Sequence, residues 1–221
     1  MEKTIGVVIP CYRYHIPALK RCLDSIEHQT ILPTIVFVSC SSSDADEVPE
    51  YTYSFPLKIV THTERKNAAQ NRNIGATELY KMVDILSFFD ADDEMHPQRL
   101  EYIMNSFKDT MDIVLHNYWE KEDLQRDFKI YLFCDKIIGM LRKAPSGCAE
   151  LEGKYGAKIH HSQVSIRSAL FQKVCFKEES YFERREDALF CGDILSLPSI
   201  RSTYIKNALS KYHIEGSWYE T

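Results

Sequence analysis

Residues 86–97, "LSFFDADDEMHP", place four carboxylates directly after a short apolar run. The apolar part has the length and composition of a buried β-strand, and Pro97 is suited to the first turn of a helix. Asp-x-Asp at a strand end is a suitable site for a hard divalent cation, Mn²⁺ or Mg²⁺, that would bind a phosphorylated substrate. The alternative is a solvated acidic turn or a helix N-cap before Pro97.

Apolar runs and amphipathic runs alternate on both sides of this stretch. Short β-branched runs predict strands at 4–10, 34–39, 57–62, 84–90 and 112–118. Runs with helical periodicity between them predict helices at 17–29, 67–82 and 97–107. Strands that alternate with helices imply a mostly parallel sheet with right-handed crossovers. We therefore predict an α/β fold with a Rossmann-like sheet flanked by helices.

The regular alternation fades after about residue 119. The stretch up to residue 158 is interpreted as a helical, loop-rich insert, and the strand pattern returns near "SQVSIR". A length of 221 residues suits one α/β domain. We predict a single domain with two halves: residues 1–118 contain the acidic segment, and residues 119–221 contain the insert.

Composition excludes several classes of protein. The formal net charge of −5 provides no basic field for nucleic acid. The seven cysteines are odd in number and form no CxxC pair, which argues against a disulfide framework and a thiolate zinc site. No apolar run approaches the roughly 20 residues of a membrane span, and no signal peptide is recognised. We expect a soluble, cytoplasmic protein, with peripheral membrane association left open.

Open α/β sheets bind ligands outside the carboxyl ends of their strands. Four polar segments follow predicted strands and would share that edge of the sheet: 10–14, 39–44, 62–67 and 90–94. The acidic segment would then lie in a cleft beside Arg65, Lys66 and Arg72.

Four motifs occur in a fixed order: "VVIPCYRY" at the first strand, "AAQNRNIGA" before the fourth, "FFDADD" at its end, and later "RREDALF". As an ordered set they resemble the family 2 inverting glycosyltransferases, which have the GT-A fold. The resemblance covers residues 4–110 well and residues 160–215 more loosely. It implies metal-dependent transfer of a sugar from a nucleoside diphosphate sugar to an acceptor hydroxyl, with inversion. The acceptor, whether glycan, lipid or protein, is not identified.

The resemblance also implies roles on the donor side of the cleft. Pro10 and Tyr12 match the end of the first strand, where the family packs the nucleotide base. Arg72, followed by Asn73, matches the "ARN" helix start next to the nucleotide. Asp90 matches the first acid of the DxD motif, near the ribose, and Asp92 matches its last acid, the metal ligand.

Two further positions are carried over from the resemblance. Asp187 in "RREDALF" matches the general base, with Glu186 beside it in the acceptor region. The rival interpretation of Asp187 is a surface ion pair with Arg184 or Arg185. His213 matches a late histidine close to the metal and diphosphate, and is predicted as a second metal ligand.

One departure from the family pattern affects the nucleotide. The family usually has an acidic pair after the second strand, and Ser39 and Cys40 stand there in "VSCSSSD". The base is therefore expected to be read by backbone groups, by serine hydroxyls that include Ser39, and by Arg72. UDP is favoured over GDP from family frequency.

Three other functions are possible for parts of this sequence pattern. A haloacid-dehalogenase-type phosphatase would need Thr or Val two residues after the second Asp of its motif, where Glu94 stands. A sugar-phosphate nucleotidyltransferase would need a glycine-rich first loop, which "PCYRYHIP" lacks. A degenerate GT-A domain that binds only a nucleotide or a partner is the remaining alternative. His160 and His161 either shape the acceptor pocket or, the favoured interpretation, are structural. Trp218 either stacks on a sugar ring or covers the core.

Overall fold

The computed structural model describes residues 3–108, 110–139, 141–151, 159, 161–182 and 185–213. Its strands are β1 (Ile5–Tyr12), β2 (Ile35–Ser41), β3 (Leu57–His62), β4 (Ile85–Phe88), β5 (Glu94–Met95), β6 (Ile113–Trp119), β7 (Lys136–Ile138), β8 (Leu141–Lys143), β9 (Ala149–Leu151), β10 (Ser165–Arg167) and β11 (Ser202–Lys211). Its α-helices are α1 (Ile16–Glu27), α2 (Ala68–Leu79), α3 (Arg99–Lys108), α4 (Ser168–Phe171) and α5 (Glu186–Leu195).

Within the described residues, nine strands form one sheet in the order β3-β2-β1-β4-β10-β6-β11-β5, and β7 also pairs with β11. The strands β1, β2, β3 and β4 are parallel neighbours, and β6 is parallel to β11. β10 runs antiparallel between β4 and β6, and β5 and β7 run antiparallel to β11. The predicted mostly parallel α/β sheet is confirmed.

The central strands are buried on both faces, as their continuous apolar sequences predict. On one face, α1 and α3 bring Leu23 and Ile103 against Val7. On the other, α2 packs so closely that a Cβ on Gly75 would lie 2.7 Å from Val8 Cγ1. The missing side chain at this position lets the helix backbone approach the sheet, which sets the distance of α2 from the strand ends.

The predicted helical character of the insert is wrong for its described residues. Residues 120–139 and 141–151 contain a 3-10 turn at Lys121–Gln125 and three short strands, and no α-helix. The strand β7 extends the sheet because Ile137 pairs with Tyr204 of β11. Gly139 and Gly147 have φ values of 75° and 87°, which favour turns over helix. The loop-rich part of the prediction is confirmed.

Both predicted halves of the chain contribute to the same sheet, because β10 and β11 lie beside strands from residues 1–118. Among the described residues, no helix has the length and apolar character that crossing a bilayer requires.

Candidate functional site

A cleft of about 190 Å³ opens at the carboxyl ends of β1 and β4, against the first turns of α2. The sequence predicted a cleft at this edge of the sheet. Five of the predicted donor-binding residues line the cleft: Pro10, Tyr12, Arg72, Asp90 and Asp92. Its other lining residues are Cys11, His15, Lys66, Ala68, Asn71, Ala91 and Tyr212.

The start of α2 is fixed by a reciprocal cap. The side chain of Asn67 accepts a hydrogen bond from the backbone N–H of Gln70, and the Gln70 side chain accepts one from the backbone of Asn67. Such a capping box satisfies two backbone donors that would otherwise lack partners. The cap and the close contact at Gly75 together hold Arg72 at the cleft.

Arg72 joins the two sides of the candidate site. Its side chain is 1% exposed, with Nη2 at 3.1 Å from Asp90 Oδ1 and Nη1 at 3.1 Å from Glu186 Oε1. The guanidinium also lies over the ring of Phe176, at 5.5 Å from its centroid. One cation therefore shares its charge between a carboxylate of the DxD loop and a carboxylate at the start of α5.

Asp90 lies two residues after the strand β4, and burial has the largest effect on its pKa. Burial raises the pKa of Asp90 to about 6, the neighbouring Asp92 adds to the shift, and Arg72 opposes it. The backbone N–H of Asp90 donates to Ser162 Oγ at 3.1 Å. The carboxyl is thus poised between its protonated and charged forms near neutral pH.

The next two acids have different surroundings. Asp92 lines the cleft, and its carbonyl oxygen accepts a hydrogen bond from Arg21. Asp93 is fully buried behind the loop, where burial and the charges of Asp90 and Asp92 raise its pKa well above the usual range. Asp93 Oδ1 accepts from the backbone N–H of His213 at 3.0 Å, and Oδ2 has no hydrogen-bond partner among the described residues.

The predicted metal ligands come from two segments, Asp92 from the loop after β4 and His213 from just after β11, and they do not form a complete cage. His213 Nε2 lies 3.9 Å from Glu94 Oε2, which is within reach of an ion pair but too far for a hydrogen bond, and it has no hydrogen-bond partner among the described residues. In the described part of the chain, no three His, Cys, Asp or Glu side chains are grouped to hold a metal ion. Mg²⁺ needs only one or two protein carboxylates, so the oxygen donors of this loop fit such an ion. The metal roles of Asp92 and His213 remain predictions.

Asp187 occupies the first turn of α5 and is 7% exposed. Burial and the adjacent Glu186 raise the pKa of Asp187 to about 7, while the backbone N–H of Ala188 and Arg72 oppose the shift. Ala188 N–H donates to Asp187 Oδ1 at 2.7 Å. Glu186, which the resemblance places beside Asp187 in the acceptor region, pairs with Arg72.

The rival ion pair of Asp187 is only partly described. Arg184 lies outside the described residues, and the Arg185 guanidinium packs over the ring of Tyr181 at 5.7 Å from its centroid. The predictions for His160, Trp218 and the side chain of His161 also fall outside what the structure describes.

Ser39 does not reach the cleft, which corrects the expectation that its hydroxyl reads the base directly. It is fully buried in β2 and donates to Asn71 Oδ1 at 2.8 Å, and Asn71 Nδ2 donates to Ser41 Oγ at 3.0 Å. Asn71 itself lines the cleft. The second strand is therefore linked to the cleft through the side-chain amide of Asn71 in α2.

Cys40 stands where the family has its second acid, and it pairs in register with Cys11 of β1. Hydrogen bonding from Cys11, with a further contribution from Ser43, lowers the pKa of Cys40 to about 7. Cys11 lines the cleft, whereas Cys40 lies behind it and is fully buried.

Sequence reasoning missed three residues that line the cleft: Asn71, His15 and Tyr212. A signal for Asn71 existed, because asparagine is a poor helix former in a helix interior. The matching signal at Asn73 has another cause, since its amide donates to Phe176 O at 2.9 Å and to Glu178 Oε1 at 2.7 Å. Lys66 lines the cleft as expected, and Arg65 is exposed.

Comparisons with known proteins agree with this architecture. The model of the family described as "Glycosyl transferase family 2" matches residues 6–163. An uncharacterized glycosyltransferase of Haemophilus influenzae is 30% identical over 102 residues, which is 45% of this chain and 33% of that protein. The chain thus matches about a third of that relative's length.

Crystal structures of S. aureus TarS 1–349 have a similar fold. The complex with UDP-GlcNAc superposes with a TM-score of 0.69 and 17% identity, over 98% of this chain and 61% of TarS 1–349. The complex with UDP gives a TM-score of 0.65 and 16% identity, over 96% and 62%. The predicted GT-A fold is confirmed, and the family model matches most of the chain. The protein belongs to glycosyl transferase family 2.

Proposed function

We propose that the protein transfers a sugar from a nucleoside diphosphate sugar to an acceptor hydroxyl, with inversion by a single displacement and with Mn²⁺ or Mg²⁺. The observation that carries the proposal is the Arg72 bridge between Asp90 and Glu186, next to a buried Asp187 with a pKa of about 7. In this proposal, Asp90 belongs to the donor side and Glu186 to the acceptor side, and the Arg72 guanidinium pairs with both. Family membership and the UDP and UDP-GlcNAc complexes of TarS support the substrate class.

The donor would occupy the cleft. Pro10 and Tyr12 would contact the base, and Asp90 would accept from the ribose hydroxyls. Asp92 would hold the cation, with His213 beside it, and a cation bound there would stabilise negative charge on the diphosphate. Lys66, which also lines the cleft, would add a positive charge near the nucleotide.

Asp187 would act as the general base. A hydroxyl is a poor nucleophile near pH 7, and a carboxylate that takes its proton as the new C–O bond forms lowers the barrier. The bond between the anomeric carbon and the diphosphate oxygen breaks in the same displacement, so the electron pair leaves with the nucleoside diphosphate. Attack opposite the leaving group inverts the anomeric carbon. A base with a pKa near the working pH combines the correct protonation state with a useful proton affinity.

The nucleotide is proposed to be UDP, ahead of GDP. Without a carboxylate after β2, the base would be read by backbone groups of β1 and by Asn71, which Ser39 holds in place. The acceptor would be a glycan, lipid or protein hydroxyl, bound by the half of the chain that comprises residues 119–221.

The replacement of the usual acidic pair by Ser39 and Cys40 favours one second candidate, a domain that binds nucleotide without catalysis. The two candidates differ in turnover and agree in binding, so one series of measurements separates them.

The first measurement is thermal unfolding with UDP-, GDP-, CMP- and dTDP-sugars, each with Mn²⁺ and with EDTA. A ligand at 100 times its Kd stabilises the native state by about 2.7 kcal/mol, or roughly 5–11 °C for a chain of this size. The proposal expects the largest shift with a UDP-sugar and Mn²⁺. The absence of any nucleotide-dependent shift would refute the proposal.

The second measurement is release of the nucleotide from the donor that gives the largest shift, with water or an added hydroxyl compound as the acceptor. Release above the background of an Asp187→Asn preparation supports the transferase. Binding without release supports the non-catalytic domain.

A further inference from the structure

Arg99 is the first residue of α3 and its side chain is fully buried beneath the sheet. A guanidinium has five N–H donors, and each has an acceptor within reach. The acceptors are His116 Nε2 at 2.9 Å, Ser87 Oγ at 2.9 Å, Met95 Sδ at 3.9 Å, Phe88 O at 3.1 Å and Ser162 O at 3.0 Å. None of the five is a carboxylate, so Arg99 is a buried cation held by neutral groups.

These acceptors surround the start of the DxD loop. Phe88 is the last residue of β4, two residues before Asp90, and Met95 lies in β5 just after the loop. Ser162 accepts from the backbone N–H of Asp90 through its hydroxyl and from Arg99 through its carbonyl. Arg99 therefore connects both ends of the loop to a third segment that crosses behind it.

His116 of β6 completes the arrangement as a neutral acceptor. Its Nδ1 lies 2.8 Å from the carbonyl of Asn117, which assigns the proton to that nitrogen and leaves Nε2 to accept from Arg99 Nε. Burial, with a contribution from Arg99, lowers the pKa of His116 well below its usual range. The imidazole is thus uncharged at neutral pH and does not repel the guanidinium.

A buried cation without a direct anion is costly and is seldom the most stable solution for a core position. Burial lowers the pKa of Arg99 to about 9, and Cys22 and Asp93 oppose that shift. Arg99 therefore stays charged at neutral pH, behind a loop in which Asp93 is buried with one oxygen lacking a hydrogen-bond partner. Its positive field offsets the mutual repulsion of carboxylates that lie close together in front of it.

We propose that Arg99 is a positioning residue that holds the Asp90–Asp93 loop ready for the diphosphate of the donor before any ligand binds, with His116 as its neutral acceptor. The identity of the ligand rests on the proposed function, whereas the ordering of the loop does not. Groups that orient the direct ligands of such a site typically change affinity or activity by 10–100-fold when they are removed.

The kinetic test compares Arg99→Met, His116→Leu and His116→Gln with a matched core variant, Leu100→Ala. Leu100 is the next residue of α3 and is fully buried in the apolar core, and its aliphatic side chain cannot form a hydrogen bond to the loop. At a temperature well below every unfolding midpoint, Arg99→Met should raise the donor KM by roughly 10–100-fold with a smaller change in kcat. Leu100→Ala should lose stability and leave the donor KM unchanged.

The two variants His116→Leu and His116→Gln still test the proposal if Arg99→Met does not fold. Glutamine offers an oxygen to Arg99 Nε, so His116→Gln should stay within a few fold of the wild type. His116→Leu removes that acceptor and should raise the donor KM. Equal effects of His116→Leu and His116→Gln, or of Arg99→Met and Leu100→Ala, would overturn the proposal.

A second readout does not depend on sugar transfer. Hydrogen exchange of residues 88–95 in the ligand-free protein should be faster in Arg99→Met and His116→Leu, and unchanged in Leu100→Ala. If the wild type transfers no sugar, the proposed function fails while this exchange result still decides the role of Arg99. Unchanged exchange in both Arg99→Met and His116→Leu would overturn it.

Discussion

Replacing the Asp187 carboxylate by an amide should stabilise the protein at high pH while it removes activity. The amide oxygen of asparagine can still accept from the backbone N–H of Ala188, which donates to Asp187 Oδ1 at 2.7 Å. The substitution removes the buried negative charge and keeps this acceptor. Asp187→Asn therefore separates the cost of that charge from the hydrogen bond that fixes the side chain.

The pH dependence follows from the raised pKa of Asp187. The ordinary value of 3.8 applies to the unfolded chain, and the folded value is about 7. Between these values the folded state binds more protons than the unfolded state, so the wild type loses stability as pH rises from 3.8 to 7. The full difference corresponds to about 4 kcal/mol. Between about pH 5 and about pH 8.5, the expected relative gain of the variant is about 3 kcal/mol.

The assay is urea denaturation of both proteins at the two pH values, combined with turnover at the higher one. Loss of a general base should reduce turnover about 10²–10⁴-fold. Asp193→Asn is a matched control on the same helix, where Asp193 pairs with Lys143 at 3.2 Å and Lys177 at 2.9 Å. Loss of these partly exposed pairs should lower stability by less than about 1 kcal/mol. An Asp187→Asn variant that is less stable than wild type at both pH values would refute the reasoning and favour the ion pair with Arg184.

Three further predictions concern the cleft. Asp92→Ala should abolish the gain in nucleotide affinity from Mn²⁺ measured by calorimetry, and equal wild-type affinity in EDTA and Mn²⁺ would show that the metal role is wrong. Arg72→Met leaves two buried carboxylates without their cation, so the free energy of unfolding measured in urea at pH 8 should fall by about 3–5 kcal/mol. The fall should be smaller near pH 5, where Asp90 takes up a proton, and an equal fall at both pH values would contradict this. Asn71→Ala should weaken nucleotide binding about tenfold and Ser39→Ala by less, because Ser39 reaches the cleft only through Asn71; a larger effect of Ser39→Ala would reverse that order.

The donor side of the site could be predicted from the sequence because its residues lie at strand ends and at a helix start. Local patterns define such positions, so the sequence alone predicts that Pro10, Asp90 and Asp92 lie in one cleft. The contact between Arg72 and Glu186 joins residues 114 positions apart, and no local pattern encodes it.

The insert shows where sequence patterns fail. Its residues between 120 and 151 are ordered by distant partners: Tyr131 N–H donates to Gln98 Oε1 at 2.7 Å, and Tyr131 OH donates to Ala208 O at 3.2 Å. Tertiary contacts of this kind override a weak helical periodicity. The prediction that the Ser39 hydroxyl faces the cleft was wrong for a related reason. Strand alternation alone does not show whether a helix covers the end of the strand.

The position of β10 in the sheet has a consequence for the order of folding. This strand comes late in the chain, at Ser165–Arg167, yet it lies between β4 and β6. During synthesis, the first 118 residues leave the ribosome with the inner edges of β4 and β6 unpaired, and unpaired edges invite association with other chains. The gap between β4 and β6 is filled only when residues 165–167 have been made. Pairing across such long sequence distances should make folding slow. A fragment that ends near residue 118 should therefore aggregate, whereas the full chain should refold.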